Sequence, residues 1–110
     1  MKVKDIVDAL KLRVLAGEKG LNREANGVYT CDLLSWVMSH GKKNNVWITV
    51  QIHPNIVAVA SLLEFSCIII PENISVEETT LTKANEENIP ILQSNLNAYE
   101  ICVELNKLGV

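Results

Sequence analysis

Apolar and polar residues follow one another in short blocks that predict a series of helices and strands. Residues 3–10 repeat apolar side chains at the spacing of one face of a helix. A strand is predicted at residues 12–16, where Gly17 ends it, and a second strand at residues 28–31. The connection between these strands is polar and rich in Gly and Asn, which is typical of an exposed loop.

The middle of the chain predicts a helix and then a strand that is covered on both faces. The helix spans residues 32–40, with Asp32 as its N-cap and Gly41 at its end. The strand at residues 46–52 lacks a regular alternation of polar and apolar positions, which is typical of a strand between two layers.

Pro54 marks the start of the next helix, because its missing N–H has no partner in the first turn of a helix. This places His53 at the corner between a strand and a helix over residues 54–65. A short run of β-branched residues after this helix predicts a buried strand at residues 67–70.

The last third of the chain predicts two helices separated by a short strand. Ser75 and Glu78 have the spacing of a capping box, and the largely polar helix over residues 76–88 is expected to be exposed. A strand at residues 89–92 precedes the last helix, which ends at Gly109. The apolar positions of this helix that we expect to face inward are Leu96, Tyr99, Ile101, Cys102, Leu105 and Leu108.

The order of these elements predicts the fold class. From Val46 onward strands and helices alternate, which calls for crossover connections and a parallel sheet between helix layers. The predicted fold is therefore a three-layer α/β/α arrangement with a largely parallel central sheet. The length of 110 residues and the absence of internal repeats predict a single domain over residues 1–110.

One predicted helix is apolar around almost its whole circumference over residues 56–63, with only Ser61 interrupting it. Such a helix is normally buried, and a chain of 110 residues has little material to cover it on every side. We therefore expect residues 56–65 to form the interface of a homodimer. The alternative is a central helix that is covered by its own chain. Trp36 and Trp47 are interpreted as core or interface anchors.

Composition and charge exclude several classes of protein. A net charge of −3 gives no basic surface for nucleic acid and disfavours an anionic membrane as a partner. The longest uncharged apolar run is far shorter than the roughly 20 residues that span a bilayer. The N-terminal residues are charged at once and show no signal-sequence core. We expect a cytoplasmic protein with neither nucleic-acid nor membrane partners.

The cysteines and the missing motifs argue against catalysis. Cys31, Cys67 and Cys102 are widely spaced, and neither histidine forms a ligand cluster with them, so no disulfide framework or zinc site is predicted. Cys67 and Cys102 are expected to be buried, which leaves Cys31 as the one candidate for thiol reactivity. The chain has no phosphate-binding P-loop, dinucleotide fingerprint, nucleophile elbow or metalloprotease motif. We expect no catalytic residues, no metal and no cofactor.

Polar side chains follow the predicted strands at their carboxyl ends, where open parallel sheets bind ligands. The helix that begins at Pro54 directs a partial positive charge to this edge, which favours a phosphate or a carboxylate, and Arg23 could neutralise such a group. Alternative structural roles stay open for Asp32, as a helix N-cap, and for His53, as a corner residue. The candidate ligand pocket comprises Arg23, Asp32, Thr49, Gln51, His53 and Asn55.

Three segments, in their order along the chain, resemble the DRTGG domain. They are GLNREANGVYTCDLLSWV, VWITVQIHPNIVAVASLLEFSCIII and ANEENIPIL. That domain is similar to the N-terminal domain of HPr kinase/phosphorylase. Asn22-Arg23 occupies the place of the family's Asp-Arg pair, Gly27 matches the glycine before the second strand, and Thr49 resembles the threonine of the central strand. Pro71-Glu72-Asn73 replaces the family's Thr-Gly-Gly, which argues against a glycine-lined anion site at that loop.

The resemblance implies a regulatory or ligand-binding module without known catalysis. It does not imply kinase activity, because the P-loop of HPr kinase lies in a separate domain. The leading hypothesis is a homodimeric module that senses an anionic small molecule or a nucleotide. The alternative is a protein-interaction subunit of a larger redox or metabolic complex, with a partner protein and no small-molecule ligand. An uncharacterised enzyme is the third hypothesis, for which no catalytic constellation is found.

Overall fold

Short runs of β-branched and aliphatic residues form one sheet, and segments of helical periodicity cover both of its faces. The computed structural model describes all 110 residues, Met1–Val110. The longest helix has 11 residues, and no helix is long and apolar enough to cross a membrane. The elements in chain order are α1 (Val3–Leu10), β1 (Arg13–Ala16), a 3₁₀ turn (Glu18–Gly20), β2 (Val28–Thr30), α2 (Leu34–His40), β3 (Val46–Ile48), α3 (Asn55–Leu62), β4 (Cys67–Ile70), α4 (Glu78–Glu87), β5 (Ile91–Gln93) and α5 (Ala98–Leu108).

The sheet has the strand order β1-β5-β4-β3-β2. Strands β2 to β5 run parallel, and β1 pairs with β5 in the antiparallel direction. In the middle of the sheet, Ile69 of β4 lies between Ile48 of β3 and Leu92 of β5. The predicted three-layer α/β/α fold with a largely parallel sheet is therefore confirmed.

Two hydrophobic cores lie on opposite faces of the sheet. Trp47 and Ile68 pack in the core that α2, α3 and α4 cover, whereas Ile48 and Ile69 pack in the core that α1 and α5 cover. All residues of β3 and β4 are buried, as expected for strands between two layers. Trp47 is fully buried, and its indole Nε1–H donates to the carbonyl of Cys31 at 2.9 Å.

Helix α3 contacts both α2 and α4 within its layer. Its residues Ile56, Val57 and Ala60 are buried, and Leu62 is the one large apolar side chain that it exposes, at 68%. The homodimer interface over residues 56–65 stays a prediction, with Leu62 as its largest available contact.

Trp36 is not part of either core. Its side chain is 52% exposed, and its indole stacks on the imidazole of His40 with ring centroids 4.0 Å apart. Leu33, directly before α2, and Met38 on α2 are exposed as well.

Two predicted helix starts are wrong. Helix α2 begins at Leu34, and Asp32 does not cap it, because the carboxylate accepts two hydrogen bonds from the segment after β3 instead. Helix α4 begins at Glu78 without any side-chain cap, so the predicted capping box with Ser75 is absent. Capping patterns are short, and a tertiary partner can displace them.

Strand β3 and helix α3 are shorter than predicted. The strand ends at Ile48 rather than at residue 52, because the Gln51 N–H donates to the Thr49 hydroxyl at 3.2 Å and turns the chain. The helix ends at Leu62 rather than at residue 65, and Glu64 follows it with a φ of 57°. A residue in this left-handed region stops a helix.

Helix α5 begins with a capping box that the sequence pattern did not single out. Asn97 Oδ1 accepts from the Glu100 N–H at 2.8 Å, and Glu100 Oε1 accepts from the Asn97 N–H at 3.0 Å. Gly109, with a φ of 82°, ends the helix as predicted. The inward position of Tyr99 is wrong: it is 77% exposed, because the helical period places it nearly opposite Ile101.

Candidate functional site

The four parallel strands end at one edge of the sheet, which we call the carboxyl edge. It consists of the segments that follow β2, β3, β4 and β5, namely residues 31–33, 49–55, 71–74 and 94–97. The opposite side, the amino edge, holds the segments that lead into the same strands. Ligands of open parallel sheets bind at the carboxyl edge.

Asp32, Thr49 and Gln51 form one hydrogen-bonded network at the carboxyl edge. Asp32 Oδ1 accepts from the Thr49 hydroxyl at 2.8 Å and from the Val50 N–H at 2.9 Å. The Gln51 side chain donates from Nε2 to the Asp32 carbonyl at 3.0 Å. The network joins the ends of β2 and β3, so the structure brings three of the predicted site residues together.

The network leaves two oxygen atoms available to a ligand. Asp32 is exposed, and neither its Oδ2 nor Gln51 Oε1 accepts a hydrogen bond from the chain. Both atoms are acceptors, so they suit a hydroxyl or an amine of a bound molecule. Across the whole chain, no three His, Cys, Asp or Glu side chains come together as metal ligands.

His53 and Asn55 lie at the same edge, beyond the network. His53 Nδ1 contacts the carboxylate of Glu77, and the Thr80 hydroxyl donates to the Ile52 carbonyl at 2.6 Å. These contacts tie the turn before α3 to the start of α4, so His53 has a structural role as a corner residue. Asn55 is exposed at the first position of α3, where the helix directs its positive end outward.

Arg23 lies at the amino edge, away from the other predicted site residues. Its Nε donates to the carbonyl of Asn88 at 3.1 Å, and Asn88 directly follows α4 on the way into β5. The reason is the direction of β1: this strand is antiparallel, so the loop that follows it leaves at the amino edge. The candidate pocket as predicted therefore does not include Arg23.

A second arginine, which the sequence did not single out, lies at the carboxyl edge instead. Arg13 is the first residue of antiparallel β1, and its guanidinium donates to Gln93 Oε1 at 2.7 Å. Its Nη2 donates to Asn73 Oδ1 and to Asn95 Oδ1, the latter at 2.9 Å. An arginine at the start of a strand gives no signal until the direction of that strand is known.

The turn after β4 has no free backbone donors for an anion. Glu72 and Asn73 both have a φ of 56°, in the left-handed region that favours glycine. Their N–H groups donate to the carbonyls of Leu96 at 2.9 Å and Ser94 at 2.7 Å. The turn therefore serves to join the segments after β4 and β5.

Two shallow depressions lie outside the Asp32 network. One, of about 250 Å³, is at the amino edge and is lined by Gly17, Glu18, Lys19, Asn85 and Asn88. The other, of about 190 Å³, lies beside α5 and is lined by Leu96, Tyr99, Glu100, Val103 and Glu104. The polar groups of the carboxyl edge thus line an open surface rather than an enclosed cavity.

All three cysteines are free thiols. Cys67 is fully buried, and burial raises the pKa of its thiol to about 12, against a smaller lowering by the Ser66 hydroxyl. Cys31 and Cys102 are half-buried, and Cys102 Sγ lies 3.4 Å from the Thr30 hydroxyl.

The sequence model of the family described as "DRTGG domain" matches residues 5–108. Among solved structures, the CBS and DRTGG domains of the regulatory region of Clostridium perfringens pyrophosphatase, complexed with the activator diadenosine tetraphosphate, superimpose with a TM-score of 0.72 at 13% identity. The match covers 94% of this chain and 45% of that chain, so the chain spans less than half the length of this relative. At this identity the likeness shows a shared fold. No curated protein matches the sequence.

Proposed function

The chain belongs to the DRTGG domain family, and from this premise we propose that it is a non-catalytic regulatory module that binds an anionic small molecule, with a nucleotide as the leading candidate. The observation that carries the proposal is the network of Asp32, Thr49 and Gln51 at the carboxyl edge. It fixes polar groups of two strand ends in place while it leaves acceptor atoms exposed. A small number of polar groups that are held in place before a ligand arrives is a feature of binding sites.

The free atoms at this edge indicate two kinds of ligand group. Asp32 Oδ2 and Gln51 Oε1 suit the hydroxyls of a sugar, as acidic residues do in nucleotide-binding sheets. The positive end of α3, which begins at Asn55, suits an anionic group. A nucleotide carries both groups, and the regulatory region of the clostridial pyrophosphatase was solved with a nucleotide activator.

Calorimetric titration of the full chain with ATP and with diadenosine tetraphosphate tests the proposal. In Asp32→Asn the amide oxygen still accepts from Thr49 and Val50, but the free acceptor becomes a donor. We expect at least about tenfold weaker binding, since a hydrogen bond to a charged group contributes roughly 1.5–3 kcal/mol.

The matched control is Asp8→Asn, which makes the same change of charge on α1, in the layer on the other face of the sheet. We expect it to bind as tightly as the wild type. The proposal fails if neither nucleotide binds, or if both variants weaken binding equally.

We propose in addition that the module acts as a homodimer through the helix over residues 56–65. In support, Leu62 of this helix is exposed. Leu33, directly before the neighbouring helix α2, and Trp36, within α2, are exposed as well. Exposed apolar side chains that are grouped on one layer are typical of interaction surfaces. The alternative occupant of this surface is a different protein in a larger complex, which corresponds to the second hypothesis.

A further inference from the structure

The chain contains two arginines, Arg13 and Arg23, and neither is paired with a carboxylate. The four close contacts between a basic group and a carboxylate involve the N-terminal amine, Lys43, His53 and Lys107. Arg23 donates to one backbone carbonyl, whereas Arg13 donates to three side-chain amide oxygens. Neutral amides orient a guanidinium without cancelling its charge.

The three amides that hold Arg13 come from three separate segments. Gln93 ends β5 and is only 9% exposed, Asn73 lies in the turn after β4, and Asn95 lies in the segment after β5. The Gln93 amide is itself oriented, because its Nε2 donates to the carbonyl of Ile74 at 2.9 Å. The guanidinium is therefore oriented by three side chains of the fold, while Arg13 itself is exposed to solvent.

A count of the donors shows what remains free. A guanidinium has five N–H bonds. The Nε–H and the two N–H bonds of Nη2 are engaged by Gln93, Asn73 and Asn95. Both N–H bonds of Nη1 have no acceptor within the chain. A pair of free N–H groups on a charged, immobilised guanidinium is a donor set for a phosphate oxygen.

The position of this donor set relates it to the Asp32 network. Neighbouring strands lie about 4.8 Å apart, so the guanidinium above the ends of β4 and β5 is on the order of 5–10 Å from the end of β3, which Gln51 follows, and on the order of 10–15 Å from the end of β2, which Asp32 follows. A polyphosphate chain can cover such a distance. We infer that Arg13 binds a phosphate group of the nucleotide whose sugar contacts Asp32 and Gln51, an inference that rests on the proposed function for the sugar end of the ligand.

NMR observation of the arginine Nε–H groups tests the inference directly, because the chain gives only two such signals. Arg13→Gln and Arg23→Gln assign them, since each variant removes one signal and the same charge. The probes are sodium tripolyphosphate and ATP, and sodium chloride of equal ionic strength serves as the reference. We expect the Arg13 signal to shift and saturate with both probes while the Arg23 signal stays in place.

Affinity measurements complete the test. We expect tripolyphosphate and ATP to bind at least about tenfold more weakly to Arg13→Gln, as the loss of a charged hydrogen-bond donor predicts, and with unchanged affinity to Arg23→Gln. Arg13→Gln also loses three hydrogen bonds of the folded chain, so the readout is binding to the folded variant and not its stability alone.

The outcomes separate the inference from the proposed function. If ATP binds in an Asp32-dependent manner and the Arg13 signal does not move, the inference is overturned and the proposed function stands. If tripolyphosphate shifts the Arg13 signal but no nucleotide binding depends on Asp32, the phosphate site stands and the proposed function fails. Equal, non-saturating shifts at both arginines would mean general charge attraction and would also overturn the inference.

Discussion

The thiol of Cys67 makes the stability of the protein depend on alkaline pH. Burial raises its pKa from 9.0 to about 12 in the folded chain. Between these values the unfolded chain has released the proton and the folded chain has not, so rising pH favours unfolding. The contribution is fully present below pH 9.0 and is lost as the pH rises toward 12, by up to about 1.4 kcal/mol per pH unit.

Urea denaturation on both sides of pH 9.0 measures this dependence. Cys67→Ala is expected to be less stable below that pH, because it leaves a cavity, but its free energy of unfolding should fall less steeply above it. Cys102→Ala, which retains Cys67, should keep the steep slope. Parallel curves for the wild type and Cys67→Ala would contradict the assignment.

Single residues show why part of the site was predictable and part was not. Asp32, Thr49 and Gln51 could be placed at one edge because they lie in or directly after the last residues of predicted strands whose direction the crossover pattern predicts. Arg13 and Arg23 could not be placed, because Arg13 begins β1 and Arg23 lies in the loop that follows it, and no pattern of apolar residues encodes whether a strand runs parallel or antiparallel. Because β1 is antiparallel, Arg13 lies at the carboxyl edge and Arg23 lies at the amino edge.

The capping box of α5 gives a prediction for a single helix. Asn97 satisfies the Glu100 N–H in the first turn, so Asn97→Ala should lower the free energy of unfolding by about 1 kcal/mol. Ser75→Ala is the control, because Ser75 has the sequence pattern of a cap but makes no such bond in the structure. Thermal or urea denaturation should therefore separate the two variants. An equal loss in both would contradict the observed helix start.

The helices and strands themselves were largely predictable, and their ends were not. Every predicted element is present, because long-range burial and local periodicity agree along most of the chain. The starts of α2 and α4 differ from the prediction since a cap competes with tertiary partners: the carboxylate of Asp32 binds the segment after β3 instead of its own helix. Such competition cannot be read from neighbouring residues alone.

The proposed homodimer is a property of the whole molecule and gives a direct prediction. Sedimentation should show a dimer for the wild type. Leu62→Glu places a charge in the proposed interface and should raise the dissociation constant at least about tenfold, since a buried leucine contributes roughly 1.5–3 kcal/mol. Tyr99→Glu, at an equally exposed position on α5 in the opposite layer, should leave the dimer intact.

Two results would contradict the dimer. One is a wild-type chain that sediments as a monomer, and the other is a dimer that Leu62→Glu leaves unchanged. In the second case the exposed side chains Leu33 and Trp36 would be the next candidates for the contact.

The apolar character of both faces of the sheet has a consequence for strand alignment. All residues of β3 and β4 are buried, so a slip by one residue would exchange one apolar set for another, and burial alone would penalise it little. The hydrogen bonds from Thr49 and Val50 to Asp32 form only when β2 and β3 are in phase. The residues that we assign to ligand binding therefore also fix the alignment of β2 with β3. The hydrophobic cores on the two faces of the sheet do not specify this alignment by themselves.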